Sequence, residues 1–282
     1  MADLVILIGA PLIAWAVTAR WSRSLPVRAP KRRANYRGIE LPTACGIAVV
    51  GGMVAAFGLF AFAGVVADGA LVDRAALTVP SFAAAAVGFG LLGLWDDLAG
   101  GDEAKGWRAH IRSLRTSSPS SGAIKLVGGV VFAFILTAGD NIAVSILAAG
   151  VLAGTSNLFN LLDLRPGRAS KFWLVLSIPL AVVLAILGDT GAAVCTLASA
   201  AAVIAFLPHD LGERAMLGDV GANAMGAVAG AALIALGGTL ALGIVLLVLI
   251  ILHVFADRPG LSKLIDAVPP LRAFDRAGRA QG

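Results

Sequence analysis

Residues 142–163 read IAVSILAAGVLAGTSNLFNLLD. The run carries no charge until its last residue and is long enough for the roughly 20 apolar residues that cross a bilayer core. Toward its end Asn157, Asn160 and Asp163 recur every three residues. At 3.6 residues per turn they trace one slanted strip on a single helix face. Polar groups inside a span are costly unless they face protein or a watery cavity. The stretch therefore reads as a membrane helix that presents a polar site at one end. Interhelical hydrogen bonding without chemistry is the plainer account of the same strip.

Similar runs lie on both sides. Candidate spans cover 3–19, 41–66, 75–95, 123–138, 142–162, 169–187, 190–207, 220–237 and 239–256, nine in all, of which 123–138 is the shortest. Only 14% of the chain is charged and the mean hydropathy is +0.90, against about a quarter charged in soluble domains. The expected fold is all-α: a polytopic integral membrane protein of about nine transmembrane helices. Residues 1–256 would form the helical domain and 257–282 a cytoplasmic amphipathic tail.

A net charge of +5 raises the question of nucleic acid, but the distribution of charge points to a membrane. With the N-terminus outside, 21 of the 22 Lys and Arg residues fall on the cytoplasmic side, Arg74 alone lying outside. That asymmetry is the positive-inside rule, and it also puts the C-terminus in the cytoplasm. The N-terminus lacks a positive region and a small-residue cleavage site, so the first helix is expected to be retained. Cys45 and Cys195 sit in apolar segments and suggest neither a disulfide nor a metal site.

The external connections are short turns, around Asp68 to Arg74 and at 139–141, 188–191 and 237–239. Residues 98–122 place Trp107, Ile111 and Leu114 at helical spacing, which predicts an interfacial helix followed by a flexible turn at Ser117–Gly122. In the tail Leu261, Leu264, Ile265, Val268, Leu271 and Phe274 interleave with Lys263, Arg272 and Arg276. This predicts an amphipathic segment on the inner leaflet, broken at Pro269-Pro270.

Two further groups of polar residues stand out. Asp96 and Asp97 end the third span, where adjacent carboxylates repel each other and oppose the helix dipole. A cation or a nearby lysine or arginine would relieve them; a solvated pair marking the end of a span is the plainer reading. Asp219 and Asn223 open the eighth span four residues apart and share a face, although an aspartate at a helix start is ordinarily an N-cap. His110, His209 and His253 show no ligand spacing, and no Walker loop, dinucleotide fingerprint or Ser-His-Asp order is present. The topology brings Asp96, Asp97, Asp163 and Asp219 to the same side.

These residues resemble a known pattern. Leu94-Trp95-Asp96-Asp97-Leu98 is similar to the paired-aspartate motif of the polyprenyl-phosphate N-acetylhexosamine-1-phosphate transferases, the MraY/WecA-like glycosyltransferase family 4. Asn157, Asn160 and Asp163 resemble that family's Asn-x-x-Asn-x-x-Asp motif, and Gly218-Asp219-Val220-Gly221 its Gly-Asp-x-Gly motif. Leu41-Pro42-Thr43 with Gly46 is similar to its Pro-Thr-x-Gly-Gly stretch, and all four occur in the family's order.

The resemblance implies a reaction in which polyprenyl phosphate attacks the β-phosphorus of a nucleotide-activated amino sugar, a UDP-sugar by expectation. The nucleoside monophosphate leaves, and a lipid-linked diphosphate sugar for cell-wall polymers such as peptidoglycan remains. Mg²⁺ is the implied cofactor. Asp96, Asp97 and Asp219 are the implied catalytic residues, with Asp219 and Asp97 holding the metal. Thr43, Lys125, Asn157, Asn160, Asp163 and Asn223 would line the substrates; Arg165 and Arg168, beside that strip, either bind a phosphate or carboxylate of the donor, which guanidiniums can grip bidentately, or anchor the loop at anionic headgroups. The implied partners are polyprenyl phosphate, a nucleotide sugar and the bacterial cytoplasmic membrane, with no nucleic acid; a homodimer stays open.

Three features depart from the pattern. Leu164-Arg165-Pro166-Gly167 replaces the stretch that carries the family's second aspartate. The His-rich last cytoplasmic loop has no counterpart after His253, and the family usually has ten or more spans. A non-catalytic binder of polyprenyl phosphate or a lipid-linked sugar is therefore the alternative. A transporter fits less well, because transporters place their polar groups near the midplane.

Overall fold

The computed structural model describes residues 2–29, 31–66, 70–100, 121–256 and 260–280. Among them are eleven helices: α1 (Ala2–Arg28), α2 (Ile47–Val66), α3 (Ala70–Ala99), α4 (Ser121–Thr137), α5 (Ile142–Leu162), α6 (Arg168–Ile186), α7 (Thr190–Leu211), α8 (Gly218–Ala235), α9 (Thr239–Ala256), α10 (Gly260–Ala267) and α11 (Pro269–Arg276). Strands β1 (Arg32–Ala34) and β2 (Glu40–Pro42) pair antiparallel between α1 and α2, with Arg33 opposite Leu41. Eight helices are long and apolar enough to cross a membrane, and α4 is a shorter apolar one. All nine predicted spans thus correspond to helices. The predicted interfacial helix with Trp107, Ile111 and Leu114, as well as His110 and Asp68, lies outside the described residues.

α8 is the hub. It packs most closely on α3 and α5, while α7 packs on α1 and α6. Small residues make these contacts possible. A methyl group on Gly226 would come within 2.6 Å of Ser156 Cα, and one on Gly230 within 2.9 Å of Leu152 Cα. Polar residues of the short loops start two helices: Asn141 accepts from the Ala143 and Val144 amides, and Asp189 from the Ala192 amide. Each satisfies N–H groups that have no intrahelical partner.

Several boundaries differ from the sequence reading. α2 begins at Ile47 rather than 41, because residues 40–42 pair with β1 and the next four form a turn whose Gly46 amide donates to Leu217 O at 2.8 Å. Leu41, Ala44 and Cys45 are buried in that turn, which is why the apolar run hides the change. α3 starts at Ala70, earlier than expected, and α4 already includes Ser121 and Gly122, which the sequence assigned to a flexible turn. The tail folds back on α6 through Asp275, whose side chain is only 4% exposed.

Candidate active site

Four helix ends converge on one ammonium. Lys125, near the start of α4, donates to Asp96 Oδ2 at the end of α3 (3.2 Å) and to Asp219 Oδ2 in the first turn of α8. Asn160, near the end of α5, completes the group. With its carboxamide turned so that both neighbours are satisfied, its nitrogen donates to Asp219 Oδ1 at 2.7 Å and its oxygen accepts from Lys125 Nζ at 2.8 Å. Asp96 and Asp219 keep about a fifth to a quarter of their side-chain surface exposed (21% and 24%), so the cluster is open on one side.

Asp97 does something else. It is 1% exposed, and its Oδ2 accepts the Val220 amide at 3.0 Å. A carboxylate from α3 therefore satisfies an amide in the first turn of α8, at the end of the helix dipole that favours negative charge. The sequence reading offered Asp219 as an ordinary N-cap and, by the resemblance, gave a metal-binding role to both Asp219 and Asp97; in the structure Asp97 caps the Val220 amide and Asp219 is turned toward Lys125. Gly218 allows this. Its φ is +71°, and a Cβ there would lie 2.7 Å from Asp97 Oδ2.

The first basic loop closes the end of α3. Arg33 donates to the carbonyls of Asp96, Asp97 and Gly100, and Lys31 to those of Leu98 and Gly100. These are the acceptors a helix C-terminus leaves unpaired. The two cations answer the strain read from adjacent carboxylates there. In the sequence they were visible only as part of a basic cluster.

A cavity of about 630 Å³ runs from this cluster along the bundle. Its mouth is Asp96, Lys125 and Asn160; its walls are mainly apolar, including Phe89, Leu126, Leu249 and Ile250. Asn157 and Asn223 also face it. His253 lies at its edge, with Nδ1 within 2.7 Å of Leu249 O.

Asp163 lies behind the cluster, in a small pocket of about 40 Å³ shared with Asp210, Arg165 and Tyr36. Removal from water, and then the nearby carboxylates of Asp210, Asp219 and Asp97, push its carboxyl well above the usual range. Arg165 stacks over the Tyr36 ring at 4.4 Å. Thr43 is buried next to the β-hairpin, its amide donating to Lys31 O at 3.2 Å.

Arg168 does not join Arg165, as a donor site shared by the two would require. Its guanidinium forms a two-pronged bond to Asp275 (2.7 and 3.0 Å) and donates to Ser262 Oγ at 3.0 Å. Lys171 donates to the carbonyls of Phe274, Asp275 and Ala277 at the end of α11, and Arg279 reaches Asp275 and Pro166 O. Arg168 is a tail anchor: each of its three guanidinium nitrogens donates to a residue of the tail.

An apolar groove with a charged and amide-lined mouth thus lies among helices long and apolar enough to cross a membrane. The family model for glycosyl transferase family 4 matches residues 79–237, more than half of the chain, and the chain belongs to that family. The match spans the paired aspartates, Lys125, the Asn160 strip and Asp219. Family membership makes it a membrane-embedded transferase of the class that moves sugar phosphates to polyprenyl phosphate. No curated protein matches the chain.

Proposed function

We propose that this protein transfers a phospho-N-acetylhexosamine from a nucleotide-activated donor, a UDP-sugar by expectation, to polyprenyl phosphate. The product is a lipid-linked diphosphate sugar for cell-envelope polymers. The asymmetry of the basic residues supports a site on the cytoplasmic face of a bacterial membrane, by the positive-inside rule. The observation that carries the reading is Lys125, shared by Asp96 and Asp219 at the mouth of the apolar groove.

In this reading the prenyl chain fills the groove and its phosphate stands at Lys125. Asp96 positions that phosphate and takes any proton left on it. A phosphate oxygen bonds to the β-phosphorus of the donor; the bond from that phosphorus to the bridging oxygen breaks, and the nucleoside monophosphate leaves with the electron pair. Lys125 and Asn160 hold the charge that moves between the phosphates.

The donor set suits Mg²⁺. Asp96 and Asp219 reach one common cation, and Mg²⁺ usually takes one or two carboxylates and completes its shell with waters and substrate phosphates. Asp97 suits it less, because it is 1% exposed and its Oδ2 already accepts the Val220 amide. Bound Mg²⁺ would neutralise the donor diphosphate. The metal pair of this proposal is therefore Asp96 with Asp219, not the Asp97 with Asp219 expected from the resemblance.

The test is to incubate purified protein with Mg²⁺, polyprenyl phosphate and a panel of nucleotide sugars, and to measure nucleoside monophosphate release. Release that requires the lipid supports the proposal. Tight lipid binding without release from any donor would leave a binding protein instead.

A further inference from the structure

The tail is held by its polar side and leaves apolar side chains outside. The residue that α11 buries is its carboxylate, Asp275, whereas Leu271 and Phe274 stay 44% and 40% exposed. α10 buries none of its residues and leaves Leu264 50% exposed. Helices this short are marginal in water on their own. The bonds from Arg168, Lys171 and Arg279 hold α11 to the bundle. Apolar surface left outside such a contact is stabilised only if something else takes it out of water.

The place of the tail points to what that is. Arg168 and Lys171 lie in the first turn of α6. The next exposed apolar side chains of that helix are Phe172, Val175 and Ile178, the outer row of a helix long and apolar enough to cross a membrane. The tail thus lies level with the start of that row, where headgroups meet hydrocarbon. Lys263, Arg272 and Arg276 are exposed on it, and within α10 and α11 Asp266 is the one carboxylate outside the Asp275 anchor. At about 100° per residue, Arg272 and Arg276 lie on the side of α11 away from Phe274. A helix is about 10 Å across and arginine is long, so both charges stay within a Debye length of an anionic surface. An acidic peptide would use the cations and leave the apolar side chains wet; a zwitterionic bilayer would do the reverse.

We infer that the tail is a docking surface for the anionic lipid of the bilayer around the bundle, and that docking clamps the loop between α5 and α6. Arg279 donates to Pro166 O at 3.0 Å, and the Ala280 amide to Leu211 O at 3.1 Å. A tail fixed on the bilayer therefore pins Pro166, in the middle of that loop, against the end of α7.

The test uses the full chain with a bimane on Leu271→Cys, which keeps an apolar group there. Cys45 and Cys195, 2% and 0% exposed, stay unlabelled. The protein is placed in nanodiscs of phosphatidylcholine, alone or mixed with phosphatidylglycerol, that contain a nitroxide lipid able to quench a fluorophore at the headgroup boundary. Quenching should be strong in the anionic discs and weak in the zwitterionic ones. Lys263→Gln, Arg272→Gln and Arg276→Gln together should abolish the difference, each cation contributing about 5-fold to the docking equilibrium. Leu264→Ser with Phe274→Ser should lower quenching in both discs. Amide exchange across residues 164–168 should slow several-fold on going from zwitterionic to anionic discs, and should stay fast in the glutamine variant. All these substitutions are at exposed positions outside the Asp275 anchor, so the variants should melt with the wild type in detergent. Equal quenching in the two discs, or quenching that survives the glutamines, would overturn the anionic-lipid surface. A label quenched in neither would mean that lipid does not cover this face, and loop exchange indifferent to docking would overturn the clamp.

Discussion

Two clusters of acidic and basic side chains lie at the same end of the bundle and use the same residue types to opposite ends. In the tail cluster, Asp275 is held by Arg168 and Arg279, while Lys171 takes three carbonyls. The Arg168 and Asp275 side chains are 5% and 4% exposed. Among the described residues, Asp275 is held by two arginines, the geometry with Arg168 is two-pronged, and none of these side chains lines the groove. In the Lys125 cluster one ammonium bonds both Asp96 and Asp219, with Asp97 behind them, and the group borders a large groove. The first cluster ties elements together; the second faces space that a ligand can fill, and that contrast sets the anchor apart from the candidate site.

The largest expected effect comes from breaking the groove-side cluster. Lys125→Ala and Asp219→Asn should each lower turnover by about 10²–10³-fold, the range for removing one preorganised electrostatic group. Asp219→Asn should shift the melting temperature little, because Asp219 does not cap α8; Lys125→Ala should lower it, because two partly buried carboxylates lose their shared ammonium. Asp97→Asn should behave differently from Asp219→Asn. It weakens the cap on the Val220 amide, so stability should fall along with activity. Turnover assays beside thermal melts separate the two patterns; full activity in Asp219→Asn would remove the cluster from the chemistry.

The mirror experiment targets the tail cluster. Arg168→Ala leaves Asp275 buried with Arg279 as its remaining side-chain partner, and should cost about 3 kcal/mol, as for a broken buried pair. It should leave the KM for the nucleotide sugar unchanged in whatever protein stays folded. A selective loss of donor affinity would return Arg168 to the donor site.

The same cluster predicts a pH dependence. Burial alone would raise the Asp275 carboxyl, but the hydrogen bonds and charge of Arg168, and then those of Arg279, hold it below the usual carboxylate range. A carboxyl lowered by folding contributes stability above its unfolded value of about 3.9 and loses it as pH falls through the folded value. The difference in stability between wild type and Asp275→Asn should therefore be constant from neutral pH down to about 4 and shrink below that. A difference that grew on acidification would contradict the arrangement.

The contrast also shows which parts were legible in the sequence. The spans were, because apolar length is a local property. So was the meeting of Asp96, Asn160 and Asp219 at one end, because each crossing reverses direction and the positive charges mark one side. The division of labour between Asp97 and Asp219 was not. It depends on Gly93 and Gly218 letting α3 and the start of α8 come into backbone contact, and a Gly-Asp sequence looks the same whichever carboxylate caps the helix. The anchor was hidden for a related reason: Arg168 and Asp275 are 107 residues apart, and next to Arg165 the arginine reads as half of a phosphate fork. Tyr36 and the β-hairpin escaped notice because three-residue strands carry little periodic signal.

The smallest effect concerns Arg165, which the structure separates from Arg168 and leaves beside the Asp163 pocket in place of the family's second aspartate. Its guanidinium lies 4.4 Å from the centre of the Tyr36 ring. A stack of this kind at a partly exposed site is worth about 0.5–1 kcal/mol, so Arg165→Ala should disturb the fold little. Removing a cation that meets the donor diphosphate should weaken nucleotide-sugar binding by about 1–3 kcal/mol. Lysine keeps the charge but loses the planar face and the fork, so Arg165→Lys should recover only part of that affinity. Tyr36→Leu, which removes the ring and keeps the arginine, should fall between wild type and Arg165→Ala, because the guanidinium is then present but no longer held. If Arg165 served only to anchor the loop to anionic headgroups, lysine would replace it fully and Tyr36→Leu would leave donor affinity unchanged. Titrating the donor against these three variants in one detergent distinguishes the two roles.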